Sequence, residues 1–170
     1  NVTKEDSAFI YFEEVRRKGK TKEVKLDWER GFSVFDEEGV ERVIYIADSN
    51  AGNYFTETEM RFYIKGEQDA MNGYHANWTT YVGVPLTGGV GFFLSSSPLV
   101  FAVPFLYMVG TSMPKYKMEP ASISDANLLR QPAYILGYER TARSKRLIKS
   151  LVAGVIGAGV GLLVGQLVNQ

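Results

Sequence analysis

Residues 150–168 constrain this chain more than any other part of the sequence. They read SLVAGVIGAGVGLLVGQLV and carry no formal charge. As an α-helix they would be about 28 Å long, close to the ~30 Å hydrocarbon core of a bilayer. A water-exposed helix of this length normally has a polar face, and this one has none. The stretch predicts a transmembrane helix, and the alternative is a glycine-rich helix buried in a large soluble complex.

Small residues recur at every fourth position of this stretch, at Ala153, Gly157, Gly161 and Gly165. Glycine inside a water-exposed helix costs about 1 kcal/mol relative to alanine, so this spacing is unfavourable in water. In lipid the same spacing allows two helix backbones to approach closely. We therefore predict a helix-packing face made of these four residues. Its partner is either the first apolar block of this chain or a neighbouring subunit, and the alternative is glycine that only makes the helix flexible.

Charge is distributed unevenly along the chain although its formal sum is zero. Residues 1–76 carry 11 basic and 16 acidic residues, a net −5, whereas residues 115–149 carry 8 and 3, a net +5. Residues 70–114 and 150–170 carry none. An acidic head, an uncharged block, a basic linker and an uncharged tail are typical of a membrane protein.

Few residues are suited to catalysis or to metal binding. The absence of cysteine excludes disulfides, thiol catalysis and thiolate metal sites. His75 is the only histidine, and acid–base chemistry there would need partners that its neighbours in the sequence do not supply. Neither a phosphate-loop motif nor a serine-hydrolase elbow occurs. We predict a non-enzymatic protein with no catalytic residues, no bound metal and no cofactor.

Residues 1–66 are predicted to form an exported β-rich domain of SH3-like size, either a small antiparallel barrel or a sheet. Aromatic and β-branched residues with polar gaps indicate short strands. These lie at 8–12, 21–26, 32–36, 42–47 and 60–64. The glycine-containing DEEGV between the third and fourth has the length of a hairpin loop. Because the chain begins with Asn1 rather than Met, we expect a signal peptide to have been removed.

Residues 67–114 are predicted to be an apolar membrane segment. One straight helix over residues 79–113 would be about 52 Å long, too long for a single crossing. Pro85, Pro98 and Pro104 each favour a break or kink. The alternatives are one kinked span, which we favour, and a re-entrant hairpin.

Residues 115–149 are predicted to be a basic linker with an amphipathic helix that begins at Pro132. Five basic side chains crowd the approach to residues 150–170, the predicted transmembrane helix. They are Arg140, Arg143, Lys145, Arg146 and Lys149. Such a cluster contacts lipid headgroups or determines topology. We expect it to face the cytoplasm, opposite the acidic head, if the first apolar block crosses an odd number of times. Apolar sequence flanks the cluster and no binding motif accompanies it, so we expect no nucleic-acid partner.

Two short motifs give the chain a resemblance to uncharacterised envelope proteins of Bacteroidota. The first motif comprises Gly66, Asp69, Ala70 and Tyr74, with Glu67 where that family usually has lysine. The second comprises Tyr134, Gly137, Tyr138, Ala142 and Lys145. The chain also resembles glycine-zipper proteins with two apolar membrane segments. The Bacteroidota resemblance implies an envelope location and no known activity, and an accessory role in secretion or gliding machinery is its extension.

The sequence as a whole predicts an α+β membrane protein. A small β-domain precedes kinked apolar helices and a C-terminal glycine-rich transmembrane helix. The predicted function is that of a membrane-anchored subunit or scaffold of a bacterial cell-envelope complex, with a periplasmic head. The inner membrane is favoured over the outer, and the expected partners are the lipid bilayer and other envelope subunits. The alternative is a membrane-anchored module that binds a small ligand or peptidoglycan.

Overall fold

The chain forms two compact units in the computed structural model, Asn1–Glu57 and Thr58–Gln170. Short strands build the first unit and helices build the second. The structure describes residues 2–5, 9–15, 20–28, 31–36, 38–50, 52–114 and 118–168. The sequence analysis predicted that the β-rich domain ends at residue 66. The observed boundary comes earlier, because the last predicted strand is part of a helix.

Two small antiparallel sheets are formed by the described residues of the first unit. Strands β1 (Val2–Glu5), β2 (Phe9–Val15) and β3 (Thr21–Asp27) form a three-stranded sheet in that order. Strands β4 (Ser33–Phe35) and β5 (Glu41–Val43) form a separate two-stranded sheet. Two-stranded sheets of this size are marginally stable alone, so the second sheet depends on other contacts.

The loop between β4 and β5 is the hairpin connection predicted from DEEGV. The Asp36 carboxylate accepts hydrogen bonds from the backbone amides of Glu38 and Val40, at 3.0 and 2.8 Å. Gly39 has a φ of +81°, a left-handed conformation that glycine adopts without steric cost. A carboxylate that accepts from amides two and four residues later is a common way to hold a turn.

Several predicted strands are present, but the predicted barrel is not observed. The predictions at 8–12 and 21–26 correspond to β2 and β3, whereas those at 32–36 and 42–47 reduce to three-residue strands. Within the described ranges the strands remain in two separate sheets. Closing a barrel requires an unbroken ring of paired strands, and three-residue strands pair too briefly to supply one.

The described residues of the second unit form four α-helices. They are α1 (Glu57–Gly73), α2 (Asn77–Phe93), α3 (Val103–Ser112) and α4 (Pro132–Val168). Short 3₁₀ helices lie at Pro98–Ala102, directly before α3, and at Pro120–Ser122 and Ala126–Arg130 in the linker before α4. Helices α2 and α3 each pack against α4, which is therefore the central element of this unit.

The predicted strand at 60–64 is wrong, because these residues lie inside α1. Tyr63, Gly66 and Ala70 are three and four residues apart, so they share one face of the helix, and all three are buried. That face packs against α4. Burial along a helical repeat outweighs the local preference of MRFYI for a strand.

Residues 77–112 fold back on themselves as a helical hairpin rather than forming one kinked span. Backbone bonds in the turn after α2, such as Ser97 N to the Leu94 carbonyl at 2.8 Å, reverse the chain. The Tyr107 hydroxyl near the end of α3 donates to the carbonyl of Thr79 at the start of α2, at 2.6 Å. The two helices are therefore antiparallel. Pro85 lies inside α2 without ending it, and the favoured single span is corrected to a hairpin.

Helix α4 begins at Pro132, as predicted, and continues without interruption to Val168. Its 37 residues give a length of about 55 Å. The predicted amphipathic helix and the predicted transmembrane helix are thus one element. In the part of the chain that the structure describes, α4 is the one helix long and apolar enough to cross a membrane.

Candidate functional site

Large apolar side chains of the helical hairpin and of the second half of α4 point outward, and small residues fill the space between α2 and α4. The exposed side chains belong to α2, to the segment Pro98–Ser112 and to the second half of α4. They include Tyr81, Leu86, Phe93, Phe101, Leu106, Val152, Ile156, Val160, Leu163 and Leu167. Buried positions on α2 and on the second half of α4 are glycine, alanine, threonine or serine. This arrangement is the reverse of the one in water-soluble helical proteins, whose cores hold the large apolar residues.

The predicted glycine face of α4 packs against α2 of the same chain. A Cβ atom on Gly161 would overlap the carbonyl oxygen of Gly88, and one on Gly157 would overlap the Thr87 hydroxyl. Further along α4, a Cβ on Gly165 would lie 2.6 Å from the Ser95 side chain. Ala153, the first of the four, is fully buried. Of the two partners considered from the sequence, the first apolar block is therefore the one that these residues contact.

Helix α1 crosses the first half of α4 at a second close contact. A Cβ on Gly66 would overlap the carbonyl oxygen of Tyr134, and a Cβ on Gly137 would overlap that of Tyr63. The core beside this crossing is formed by Ala70, Tyr74, Ala76, Tyr138 and Ala142. Residues of the two motifs singled out in the sequence thus meet in space.

Asp69 is the centre of a buried polar network at the same crossing. Its carboxylate accepts hydrogen bonds from the Ser124 amide and hydroxyl at 3.0 and 2.7 Å, and from the Tyr134 hydroxyl at 2.8 Å. Lys65 forms an ion pair with it at 3.1 Å. Burial raises the pKa of Asp69, but the hydrogen bonds from Ser124 and Tyr134 and the contact with Lys65 outweigh burial and lower it to about 2. Burial, with the hydrogen bond to Asp69, raises the pKa of Tyr134. The network joins α1, the linker and α4.

Most of the basic cluster binds within the unit. The Lys145 ammonium donates to the carbonyls of Ala70, Met71 and Tyr74, at 3.3, 2.6 and 2.9 Å. These carbonyls lie at the C-terminal end of α1, where a positive charge is favourable, and the Ala70 carbonyl also accepts from the Tyr74 amide at 3.1 Å. Burial, followed by repulsion from Lys149, lowers the pKa of Lys145. Lys145 therefore caps α1.

Arg146 is buried, with 4% of its surface exposed. Its guanidinium donates to the Tyr74 hydroxyl at 3.2 Å and to the carbonyls of Thr111 and Pro114 at 3.3 and 2.9 Å. It also lies 5.8 Å from the centre of the Trp78 ring. The sequence predicted a topology role or a lipid-headgroup contact for this residue, and its burial does not fit the headgroup contact. Instead, Arg146 joins α4 to the ends of α1 and α3.

The remaining basic residues are more accessible. Arg140 donates to the Tyr63 hydroxyl at 2.8 Å, and Lys149 donates to the Asn77 side-chain oxygen at 2.9 Å. Arg143 is exposed on α4. Headgroup contact stays a prediction for these three residues.

An apolar groove lies between α2 and α3 and has a volume of about 600 Å³. Trp78 and Thr111 line one end, and Leu94 and Leu99 line the other. Leu86 and Leu106 contribute to the walls between these ends, and both side chains are more than half exposed. Sequence reasoning missed this groove, because it exists only when the two helices lie antiparallel.

The described residues form no cluster of three or more His, Cys, Asp or Glu side chains that could hold a metal ion. His75 lies in the short connection between α1 and α2. Comparison with protein-family models, with curated proteins and with solved structures gives no match. The Bacteroidota resemblance therefore stays a prediction.

Proposed function

We propose that this chain is a membrane-anchored, non-enzymatic subunit or scaffold of a cell-envelope assembly, with its helical unit embedded in a bilayer. The observation that carries the proposal is the outward orientation of the large apolar side chains on α2, α3 and α4. Each square ångström of apolar surface kept in water costs about 25 cal/mol, so an exterior of this kind is unfavourable unless lipid or protein covers it.

The lengths of the apolar helices fit a bilayer. The uncharged part of α4, residues 150–168, is about 28 Å long, and α2 is about 25 Å. The segment Pro98–Ser112 is also about 25 Å when its 3₁₀ turn is included. The turn after α2 lies beside Gly165, near the end of α4. The hairpin therefore extends as far as the apolar half of α4, close to the ~30 Å of a hydrocarbon core.

The interior supports the same conclusion. Lipid tails are as apolar as leucine, so helices in a membrane associate through close packing rather than by hiding large side chains from solvent. The contacts of Gly157 and Gly161 with α2 provide such packing. The buried hydroxyls of Thr79 and Thr87 donate to the carbonyls of Ala76 and Gly83, both at 2.7 Å, so neither exposes an unpaired donor to lipid.

A charge on the outer face of α4 tests the membrane location. Leu163 is 61% exposed, so Leu163→Arg changes little in water, whereas at the centre of a membrane helix arginine costs about 2.5–3.5 kcal/mol. We expect the variant to be depleted from the membrane fraction. The matched control is Leu136→Arg, at a 51% exposed position on the first half of the same helix. Equal recovery of both variants, together with a wild type that stays soluble without detergent, would contradict the proposal.

The subunit role is supported by exposed apolar side chains of the first unit. Phe35, Val40, Ile46 and Tyr54 are each more than half exposed. Exposed apolar groups on a small β-rich unit are suited to contact with another protein. Purification in a mild detergent tests this role, since a subunit retains a fixed partner. Recovery of a lone chain that binds peptidoglycan fragments or another small ligand would instead favour the anchored-module alternative.

A further inference from the structure

The groove between α2 and α3 in the helical unit has apolar walls with exposed side chains. Leu86, Leu99 and Leu106 line it, and each is more than half exposed. Its volume of about 600 Å³ lies within the range of small-molecule sites, about 300–1,000 Å³. Its lining is apolar except for hydroxyls such as those of Thr87 and Thr111, and each of these two donates to a carbonyl of its own helix. The groove is therefore suited to a hydrocarbon chain rather than to a polar ligand.

The two ends of the groove differ in charge. At the Trp78 end, Lys149 donates to Asn77 and the guanidinium of Arg146 lies 5.8 Å from the centre of the Trp78 ring. Helix α2 begins at Asn77, where the helix dipole is positive, and no side chain described in the structure caps this end. Residues 70–114 contain no acidic residue, and although Glu119 in the linker interacts with Lys145, the neighbouring Lys145, Arg146 and Lys149 outnumber it. The Trp78 end is thus positive, and the Leu94 end is uncharged.

The groove is long enough to hold an acyl chain. From Trp78 to Leu94 the groove follows α2 for about 24 Å, which exceeds the ~15 Å depth of one leaflet. A positive group at one end of an apolar channel complements a phosphate with an attached acyl chain. We propose that the groove binds one acyl chain of an anionic membrane phospholipid, and that the phosphate of this lipid is held at the Trp78 end, next to Lys149. This inference rests on the membrane location proposed above.

Gly110 provides a way to fill the groove without disturbing the fold. It lines the groove on α3, and a Cβ atom added to it meets no atom within 4 Å. The phenyl ring of Gly110→Phe should therefore occupy the space that we propose for the acyl chain. Gly89 on α2 is the matched control, because a Cβ there also meets nothing within 4 Å and Gly89 does not line the groove. Ala102→Phe narrows the far end as a second, independent variant.

Native mass spectrometry of the full chain, extracted from membranes and titrated with phosphatidylglycerol or phosphatidylcholine, measures the binding. We expect the wild type and Gly89→Phe to retain one phospholipid per chain. Gly110→Phe and Ala102→Phe should each lose about tenfold in affinity, equivalent to about 1.4 kcal/mol. Lys149→Gln should reduce the preference for phosphatidylglycerol over phosphatidylcholine about fivefold.

Several results would overturn the inference. One is unchanged lipid retention in both Gly110→Phe and Ala102→Phe, with melting temperatures like that of the wild type. A second is a loss of lipid affinity in Gly89→Phe equal to the loss in these two variants. A third is a bound free fatty acid in place of phospholipid. Cross-linking of the groove to a second copy of the chain would also overturn it. If the wild type sits in the membrane fraction and binds no lipid in the groove, only this inference fails. A wild type absent from that fraction contradicts the proposed function itself.

Discussion

The Gly161 Cα on α4 lies so close to the Gly88 carbonyl on α2 that any Cβ at position 161 would overlap that oxygen. The overlap is with backbone, which cannot rotate away as the end of a side chain can. The two helices are therefore held at a separation that only glycine permits at this point.

Replacing Gly161 with alanine should push α2 and α4 apart and destabilise the helical unit by about 1–3 kcal/mol, the usual cost of overpacking. Gly159→Ala is the control, because a Cβ there meets nothing within 4 Å and alanine favours helix by about 1 kcal/mol. Thermal unfolding in detergent measures both. Equal melting temperatures for the two variants would show that the close contact contributes nothing to stability.

Asp69 should make stability depend on pH in the acid range. Its pKa of about 2 in the folded state lies below the ordinary value, so the ionised carboxylate contributes stability at neutral pH that is lost as the pH falls from about 4 towards 2. The size of this contribution is about 2 kcal/mol. We expect the difference in unfolding free energy between wild type and Asp69→Asn to shrink across that interval, measured by chemical unfolding. If the difference in unfolding free energy between the two proteins does not change with pH, the ionised Asp69 carboxylate is not the source of the stabilisation.

Lys145 should stabilise the C-terminal end of α1. Lys145→Met keeps most of the side-chain volume but leaves the carbonyls of Ala70, Met71 and Tyr74 without this donor. We expect a loss of about 1–3 kcal/mol and faster hydrogen exchange in the last turn of α1. Arg143→Met, at an exposed position of the same helix, should change stability by less than about 0.5 kcal/mol. Matching exchange rates in the two variants would argue against capping.

The hairpin changes the expected topology of the second unit. In the membrane location proposed above, antiparallel α2 and α3 would contribute an even number of crossings. Asp69 on α1 binds Ser124 in the linker, so α1 and the linker share one side. For a membrane-embedded hairpin we therefore expect the end of α1 and the linker to lie on the same side, whereas the sequence analysis, assuming an odd number of crossings, placed the chain before the hairpin opposite the linker.

Cysteine labelling tests this topology in a chain that contains no native cysteine. Met71→Cys and Asn127→Cys, both at exposed positions, should react with an impermeant reagent from the same side of the membrane. Ser96→Cys in the hairpin turn should react from the opposite side. Labelling of positions 71 and 127 from opposite sides would contradict the hairpin, and a Ser96→Cys protected from both sides would show that the hairpin ends within the bilayer.

Local patterns in the sequence predicted two features of the fold correctly. The start of α4 at Pro132 follows from the restricted φ of proline, and the β4–β5 turn follows from Asp36 and Gly39. Such features depend on a few neighbouring residues. The strand predicted at 60–64 failed because MRFYI has strand-like side chains, whereas the contact of Gly66 with Tyr134 depends on residues far apart in the chain.

By itself, the sequence determined the length of the apolar stretch at 150–168, the spacing of its glycines and the separation of charge along the chain, because these are properties of composition and order. Tertiary structure alone decided which surface the glycines meet and that Arg146 is buried. Tertiary structure also brought the hydroxyls of Ser124 and Tyr134 to the Asp69 carboxylate. These outcomes depend on antiparallel packing of α2 and α3 beside α4 and on the crossing of α1, contacts between distant residues that form only when the helices assemble.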